Sequence, residues 1–241
     1  MTGSQMNKEK VYNTRQKNGE SDDVIIQDSA SLPVSISNQV AEKVDDKVIS
    51  NKFFNSFNFS KLSTQFSSLN LAIGVTSANP QEGKTLVASN MAVSIARGYQ
   101  RTTLLIDMNF QNPEVHNLFG VNQVPGLAEA LEFKTIKVAP TKVENLFVMP
   151  AGDCKLFKPG IEHTLILRDI FQTLKKEFDF IIIDMSSILP VKNFPVHFVN
   201  ETDGLISVIN MEKTKRHALG KMFNHVDEKR FVGYVFNKVE P

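Results

Sequence analysis

The 241-residue chain carries 27 Lys and Arg against 26 Asp and Glu, a formal net charge of +1, and a single cysteine. That length suits one domain, at most two, with a sizeable core, while the balanced charge gives no bulk attraction for nucleic acid or an anionic membrane. Cys154 has no partner for an internal disulfide, no apolar run approaches the ~18 residues of a bilayer span and no secretory apolar core opens the chain; secreted scaffold, disulfide mini-protein and integral membrane protein are excluded, and a soluble intracellular protein is expected.

Residues 1–52 are rich in Lys, Asp, Glu, Asn, Ser and Gln, with thinly scattered apolar positions. Such a segment buries too little apolar surface to offset chain entropy, which predicts a mobile polar N-terminal tail. Within it, Val34 to Ile49 has the spacing of a short amphipathic helix. Phe53 to Asn70 reads as an irregular or partly helical lead-in whose phenylalanines, Phe53, Phe54, Phe57, Phe59 and Phe66, cover a sheet edge.

From Leu71 a rhythm sets in. Short apolar runs at Leu71–Thr76, Thr103–Ile106, Leu146–Met149, Phe180–Ile183, Leu205–Ile209 and Phe231–Phe236 suit buried parallel strands, because they do not alternate with polar residues. Helical spacing lies between several of them, at Leu86–Arg97, Leu165–Phe178 and Thr214–Val226. Alternation of this kind predicts one α/β domain over 53–241, a mostly parallel sheet flanked by helices on both faces.

The sharpest local signal is Val75-Thr76-Ser77-Ala78-Asn79-Pro80-Gln81-Glu82-Gly83-Lys84-Thr85, between a predicted strand and a predicted helix. In that setting successive backbone N–H groups curl around an anion and the helix points its positive end at it. The cradle comprises Ala78, Asn79, Pro80, Gln81, Glu82, Gly83, Lys84, Thr85 and Leu86. Gly83 lets the backbone approach phosphate, Lys84 neutralises the outer phosphates, and Thr85 offers a hydroxyl to Mg²⁺. Ala78 stands where the usual pattern has its first glycine.

Two later strands end in aspartate, Asp107 and Asp184. Ligands of open α/β sheets sit beyond the carboxyl ends of the strands, so both are candidate Mg²⁺ ligands with Thr85 and, with Lys84, candidate catalytic groups. The five histidines, His116, His163, His197, His217 and His225, show no spacing suited to zinc, and no covalent-nucleophile signature is present.

The loop from Thr76 to Thr85, Leu104-Leu105-Ile106-Asp107, and Phe178-Asp179-Phe180-Ile181-Ile182-Ile183-Asp184 together resemble the bacterial tyrosine kinases of capsular and exopolysaccharide synthesis, a branch of the deviant Walker P-loop ATPases. The resemblance spans roughly residues 70 to 241. Pro113, His116 and Phe119, Gly126-Leu127 and Met149-Pro150-Ala151-Gly152 are similar to further family stretches, and Asn237 closes a last strand where the family's asparagine would face the adenine. The likeness implies Mg-ATP as ligand, a membrane chain-length regulator of polymer export as partner, and a cytoplasmic chain recruited by that partner to the membrane's inner face; it leaves homo-oligomerisation open.

The departures are specific. Asn109 and Gln111 replace the family's second aspartate and its arginine, Ser186 and Ser187 replace two prolines, and the chain ends at Pro241 without a tyrosine cluster. Its tyrosines are Tyr12, Tyr99 and Tyr234, the last in a predicted buried strand. The segment from Asn55 to Leu62 lacks the arginines of the family's oligomerisation helix. Asn109 can neither give a metal a carboxylate nor act as a base, and loss of a general base costs ~10²–10⁴-fold. Binding therefore stands on firmer ground than transfer, and a non-catalytic ATP-dependent switch is the alternative. A chromosome-partitioning ATPase is a further one, but Asn79 occupies its cross-dimer lysine position. Asn237-Lys238-Val239-Glu240 comes near a guanine-reading motif, with Glu where Asp is required.

Overall fold

The structure, a computed structural model, describes residues 24–26, 32–37, 44–45, 70–155 and 157–239. Strands β1 (Val24–Ile26), β2 (Val34–Ile36), β3 (Leu71–Ser77), β4 (Thr103–Met108), β5 (Ile136–Pro140), β6 (Leu146–Met149), β7 (Phe180–Met185), β8 (Gly204–Asn210) and β9 (Phe231–Asn237) form one sheet in the order β1-β2-β5-β6-β4-β7-β3-β8-β9. From β6 to β9 every neighbouring pair is parallel; β5 runs antiparallel to β6, and β1 to β2. The strands expected from apolar runs are all present, and the mostly parallel α/β architecture is as the sequence predicts.

Helices α1 (Lys84–Val93), α2 (Val115–Phe119), α3 (Leu127–Phe133), α4 (His163–Glu177), α5 (Val196–Val199) and α6 (Arg216–Phe223) cover both faces. On one face Val87, Met91, Ile95, Val115 and Phe119 pack against Ile73, Val75, Leu105, Ile182, Ile206 and Val208. On the other, Leu127, Leu131, Leu167, Ile170, Leu174, Phe198 and Met222 meet Ala72, Leu104, Ile106, Ile181, Ile183 and Leu205. Odd and even positions of each strand thus feed different layers, and burial of each such large side chain contributes ~1.5–3 kcal/mol. The α1 helix carries on into a π-type turn, Ser94–Gly98, so the predicted Leu86–Arg97 helix is one element with a wider last turn.

Two expectations are revised, and others fall outside the described residues. Val34–Ile36 is a strand, not the start of a helix: it pairs in parallel with Ile136–Val138 of β5 and buries Val34, an interaction invisible to local spacing. It and Val24–Ile26 lie inside the segment read as a polar tail. The lead-in with Phe53, Phe54, Phe57, Phe59 and Phe66, and most of the Val34–Ile49 stretch, fall outside the described residues. Tyr234 does sit in a strand but is 41% exposed, because β9 is the outermost strand among the described residues; its ring stacks on Phe231, which lies edge-on to Phe223 of α6.

The sheet is also tied from below. The Asp203 carboxylate accepts the Ala72 N–H at 2.7 Å and pairs with Lys175 of α4 at 2.7 Å, fixing the start of β3 against β8 and α4.

Candidate functional site

Because β3 lies between β7 and β8, the loop after it opens where three strand ends converge. The chain following β7 zips onto the loop's beginning: Ile188 N–H donates to Ser77 O, Leu189 N–H to Ala78 O, and the Thr76 hydroxyl to Ser186 O at 2.8 Å. Ser186 and Ser187 turn their own hydroxyls onto the Asn193 and Leu189 carbonyls, closing the turn after β7.

Within the loop, Pro80 and Gln81 are exposed, and Gln81 has φ of 62°. The Glu82 carboxylate is 2% exposed and folds back to accept from the Asn79 backbone N–H at 3.2 Å and the Asn79 amide at 2.9 Å. Gly83 has φ of 96°, in the left-handed region, and a Cβ there would run into the Asn237 amide. Glycine is required on both counts. Asn237, at the end of β9, donates its amide to the Glu82 carbonyl at 2.9 Å, so the structure puts this asparagine against the phosphate loop itself.

Gly83 leaves α1 without a side-chain cap, and no acidic residue occupies the helix's first turn. The N–H groups of Lys84, Thr85 and Leu86 thus form the helix's uncapped positive end, which favours an anion. Leu86 itself is exposed on that turn. Lys84 is buried; burial pulls its pKa below the ordinary lysine value, against the opposing pull of Asp184, Glu82 and Glu114. A cation held by carboxylates in a dry setting is matched to a polyanionic ligand.

Asp107 and Asp184, alike in the sequence, stand directly opposite each other on β4 and β7. Their surroundings differ. Asp107 accepts N–H bonds from Asn109 at 3.0 Å and from Glu114 and Val115 at 3.1 Å, so its carboxylate anchors the chain between β4 and α2. Neither oxygen of Asp184 has a hydrogen-bond partner among the described residues, and the group is fully buried. The Thr85 hydroxyl lies near enough to favour the charged form but falls short of hydrogen-bond geometry. Burial, first, and Glu114 lift the Asp184 pKa to about 7 against the pull of Thr85 and Lys84; burial and the facing Asp184 likewise raise Asp107.

An orphaned buried carboxylate beside a hydroxyl and a helix N-terminus fits a hard divalent cation, for which oxygen donors are the natural ligands. Thr85 and Asp184 are the residues present for it. Asn109 is not free for chemistry: its amide donates to Asn112 O at 2.9 Å, while Gln111 reaches Asn193 O at 3.2 Å. The family-like turns also meet, since Leu127 N–H donates to Pro150 O and Ala128 N–H to Ala151 O, and a Cβ on Gly126 would collide with the Pro150 carbonyl.

One participant escaped the sequence reading. Thr214, just beyond β8, donates its hydroxyl to Glu82 at 2.6 Å and accepts the Asn210 N–H at 3.0 Å. Nothing local marks it, because its role depends on β8 lying beside β3. Between the loop and α6 a cavity of about 270 Å³ opens, lined by Asn79, Pro80, Glu82, Lys213, Lys215 and His217 among others.

No family model matches the chain. It is 33% identical over 175 residues to the tyrosine-protein kinase CpsD of Streptococcus pneumoniae, covering 70% of this chain and 76% of that protein. It is 24% identical over 176 residues to the succinoglycan biosynthesis transport protein ExoP of Rhizobium meliloti, covering 70% of this chain and 22% of that longer protein. Among solved structures, the chimerical protein CapA2B2 superposes with a TM-score of 0.71 at 23% identity over 84% of this chain and 93% of that one, a likeness of fold. A P-loop between parallel strands, an aspartate ending each of β4 and β7, and identity of this extent to a named kinase make the chain a member of the bacterial tyrosine kinase family of the P-loop NTPase type.

Proposed function

We propose that the protein binds Mg-ATP in the loop from Ala78 to Thr85 and serves polysaccharide assembly from the cytoplasm beside a membrane chain-length regulator, with phosphoryl transfer to tyrosine weakened. The observation that carries the binding reading is the partnerless Asp184 carboxylate behind Lys84, Thr85 and an uncapped helix N-terminus. The export setting draws on the names of the relatives, one of them a polysaccharide transport protein. The regulator partner is supported by family membership, and no helix among the described residues is long and apolar enough to cross a membrane.

In this reading the N–H groups of α1's first turn bind phosphate oxygens, and Lys84 draws charge from the outer phosphates. Thr85 and Asp184 hold Mg²⁺, which when bound neutralises phosphate charge and fixes its orientation. Asp107 holds the 109–115 chain in place rather than giving free oxygens to the ion. Asn237 braces the loop from the β9 side, next to where a base would lie.

A second reading, a nucleotide-dependent switch without turnover, is favoured by the Asn109 amide, which is spent on Asn112 and cannot act as a base. Titration of ADP with and without Mg²⁺ tests binding: Lys84→Met should weaken uptake roughly 10–100-fold, the scale of one or two lost charge-assisted bonds. Radiolabelled ATP with an activator peptide then separates the readings. Tyrosine labelling above the Lys84→Met background supports the kinase; labelling equal to it supports the switch.

A further inference from the structure

The phosphate loop is gripped by the two strands on its outer side, one through a backbone carbonyl and one through a side chain. Asn237 at the end of β9 holds the Glu82 carbonyl at 2.9 Å, and Thr214 beyond β8 holds the Glu82 carboxylate at 2.6 Å. That carboxylate in turn holds both the backbone N–H and the amide of Asn79. The loop's rise from Asn79 to Glu82 is therefore closed on itself by one buried side chain whose outer anchor is a threonine 132 residues away in the chain.

Thr214 is well suited to the task. Its single hydroxyl proton goes to Glu82, its lone pair takes the Asn210 N–H, and its own N–H returns to Asn210 O at 2.8 Å. Swinging the hydroxyl away would take one of two donors from Glu82 Oε1 and deprive the Asn210 N–H of this acceptor. Without this anchor Glu82 would still be able to cap Asn79, and Asn237 would still hold the Glu82 carbonyl, but the carboxylate would lose its tie to the chain beyond β8.

We infer that Thr214 is a positioning residue of the nucleotide site, acting through Glu82 to keep the loop in the shape that presents its N–H groups to phosphate. The inference rests on the reading of this loop as a nucleotide cradle and adds a residue from a different strand end. A site that must match a ligand to within fractions of an ångström needs such supports behind the groups that touch it.

The test uses the full chain and three variants, Thr214→Val, Thr214→Ser and Glu82→Ala. Calorimetric titration with Mg-ADP should show Thr214→Val weaker by about tenfold, the scale of a lost bond to a charged group. Thr214→Ser should bind like wild type, since serine retains both halves of the exchange. Thr214→Val added to Glu82→Ala should cost little more than Glu82→Ala alone, because the alanine already removes the acceptor that Thr214 donates to. A merely structural threonine would lower the melting temperature and leave the affinity of folded protein unchanged. Hydrogen exchange at the Asn79 amide, followed without nucleotide, is the second readout and should quicken in Thr214→Val. If wild type binds Mg-ADP and Thr214→Val binds it equally well, the inference is overturned. If wild type takes up no nucleotide, the cradle reading fails, and the Asn79 amide decides: faster exchange upholds the clamp, unchanged exchange sinks it.

Discussion

Replacing Asp184 by asparagine should make the ligand-free protein more stable at alkaline pH, though it removes a group at the centre of the site. The Asp184 pKa is lifted from 3.8 to about 7, first by burial. An acid whose pKa is raised by folding favours the protonated native state, so its ionised form opposes folding above the ordinary carboxylate range. The cost grows from about pH 4 and is complete above pH 7. At 1.36 kcal/mol per pH unit, a rise of about three units amounts to ~4 kcal/mol at pH 8. Asparagine removes that cost and eases Asp107 opposite, but it brings an amide into a dry site and takes a counter-charge from Lys84, together ~2 kcal/mol. The net gain is ~2 kcal/mol at pH 8, or ~4–8 °C in melting temperature for a domain of this size. It shrinks to near zero by pH 5, where the native Asp184 is already protonated. Thermal melts by circular dichroism in EDTA at the two pH values provide the measurement. An Asp184→Asn variant that melts below wild type at pH 8, or a gap that does not narrow towards pH 5, would refute the reasoning. With Mg-ADP added, wild type should rise and the variant should not.

Other outcomes follow from the same geometry. Asn109→Asp should lower stability by ~1–3 kcal/mol at pH 8, seen as a lower urea midpoint, because the new carboxylate would face the Asn112 carbonyl near two carboxylates already present. Arg230→Met should cost ~2–4 kcal/mol in the same assay, since one Arg230 nitrogen donates to both Val199 O and Thr202 O at 2.6 Å. Cys154 should resist alkylation. Burial, with Asp107, Glu129 and Asp153 adding to it, pushes the thiol up to about 11. Only about one molecule in a thousand then carries thiolate at pH 8, against about a quarter for a free cysteine. Iodoacetamide labelling should therefore run on the order of 100-fold slower than for glutathione.

The strands from β3 to β9 other than β5 were legible because each is built on a short apolar run, buried in β3, β4, β7 and β8 beneath helices on both faces. β5 was not: Ile136-Lys137-Val138-Ala139-Pro140 mixes a lysine and a proline into a short segment that gains its place only by pairing with β2 and β6. The α2 and α3 helices are too short, at 5 and 7 residues, for their period to stand out. At the site, the loop and both strand-end aspartates could be named from spacing. What separates Asp107 from Asp184 could not, since it depends on the 109–115 chain folding back onto one carboxylate only. Tyr234 misled for a related reason: an apolar run predicts a strand but does not say whether a further strand lies outside it.

The outermost position of β9 has a cost in heat. Asn237, which braces Glu82 and packs against Gly83, sits on a strand that, among the described residues, is hydrogen-bonded to a single neighbouring strand, with Phe236 and Tyr234 open to water. Rim strands fray at lower free energy than the interior of a sheet. Warming should therefore loosen the brace while β3, β7 and β4 are still intact, so inactivation precedes denaturation and a protein that still looks native by its backbone spectrum has already lost its grip on nucleotide.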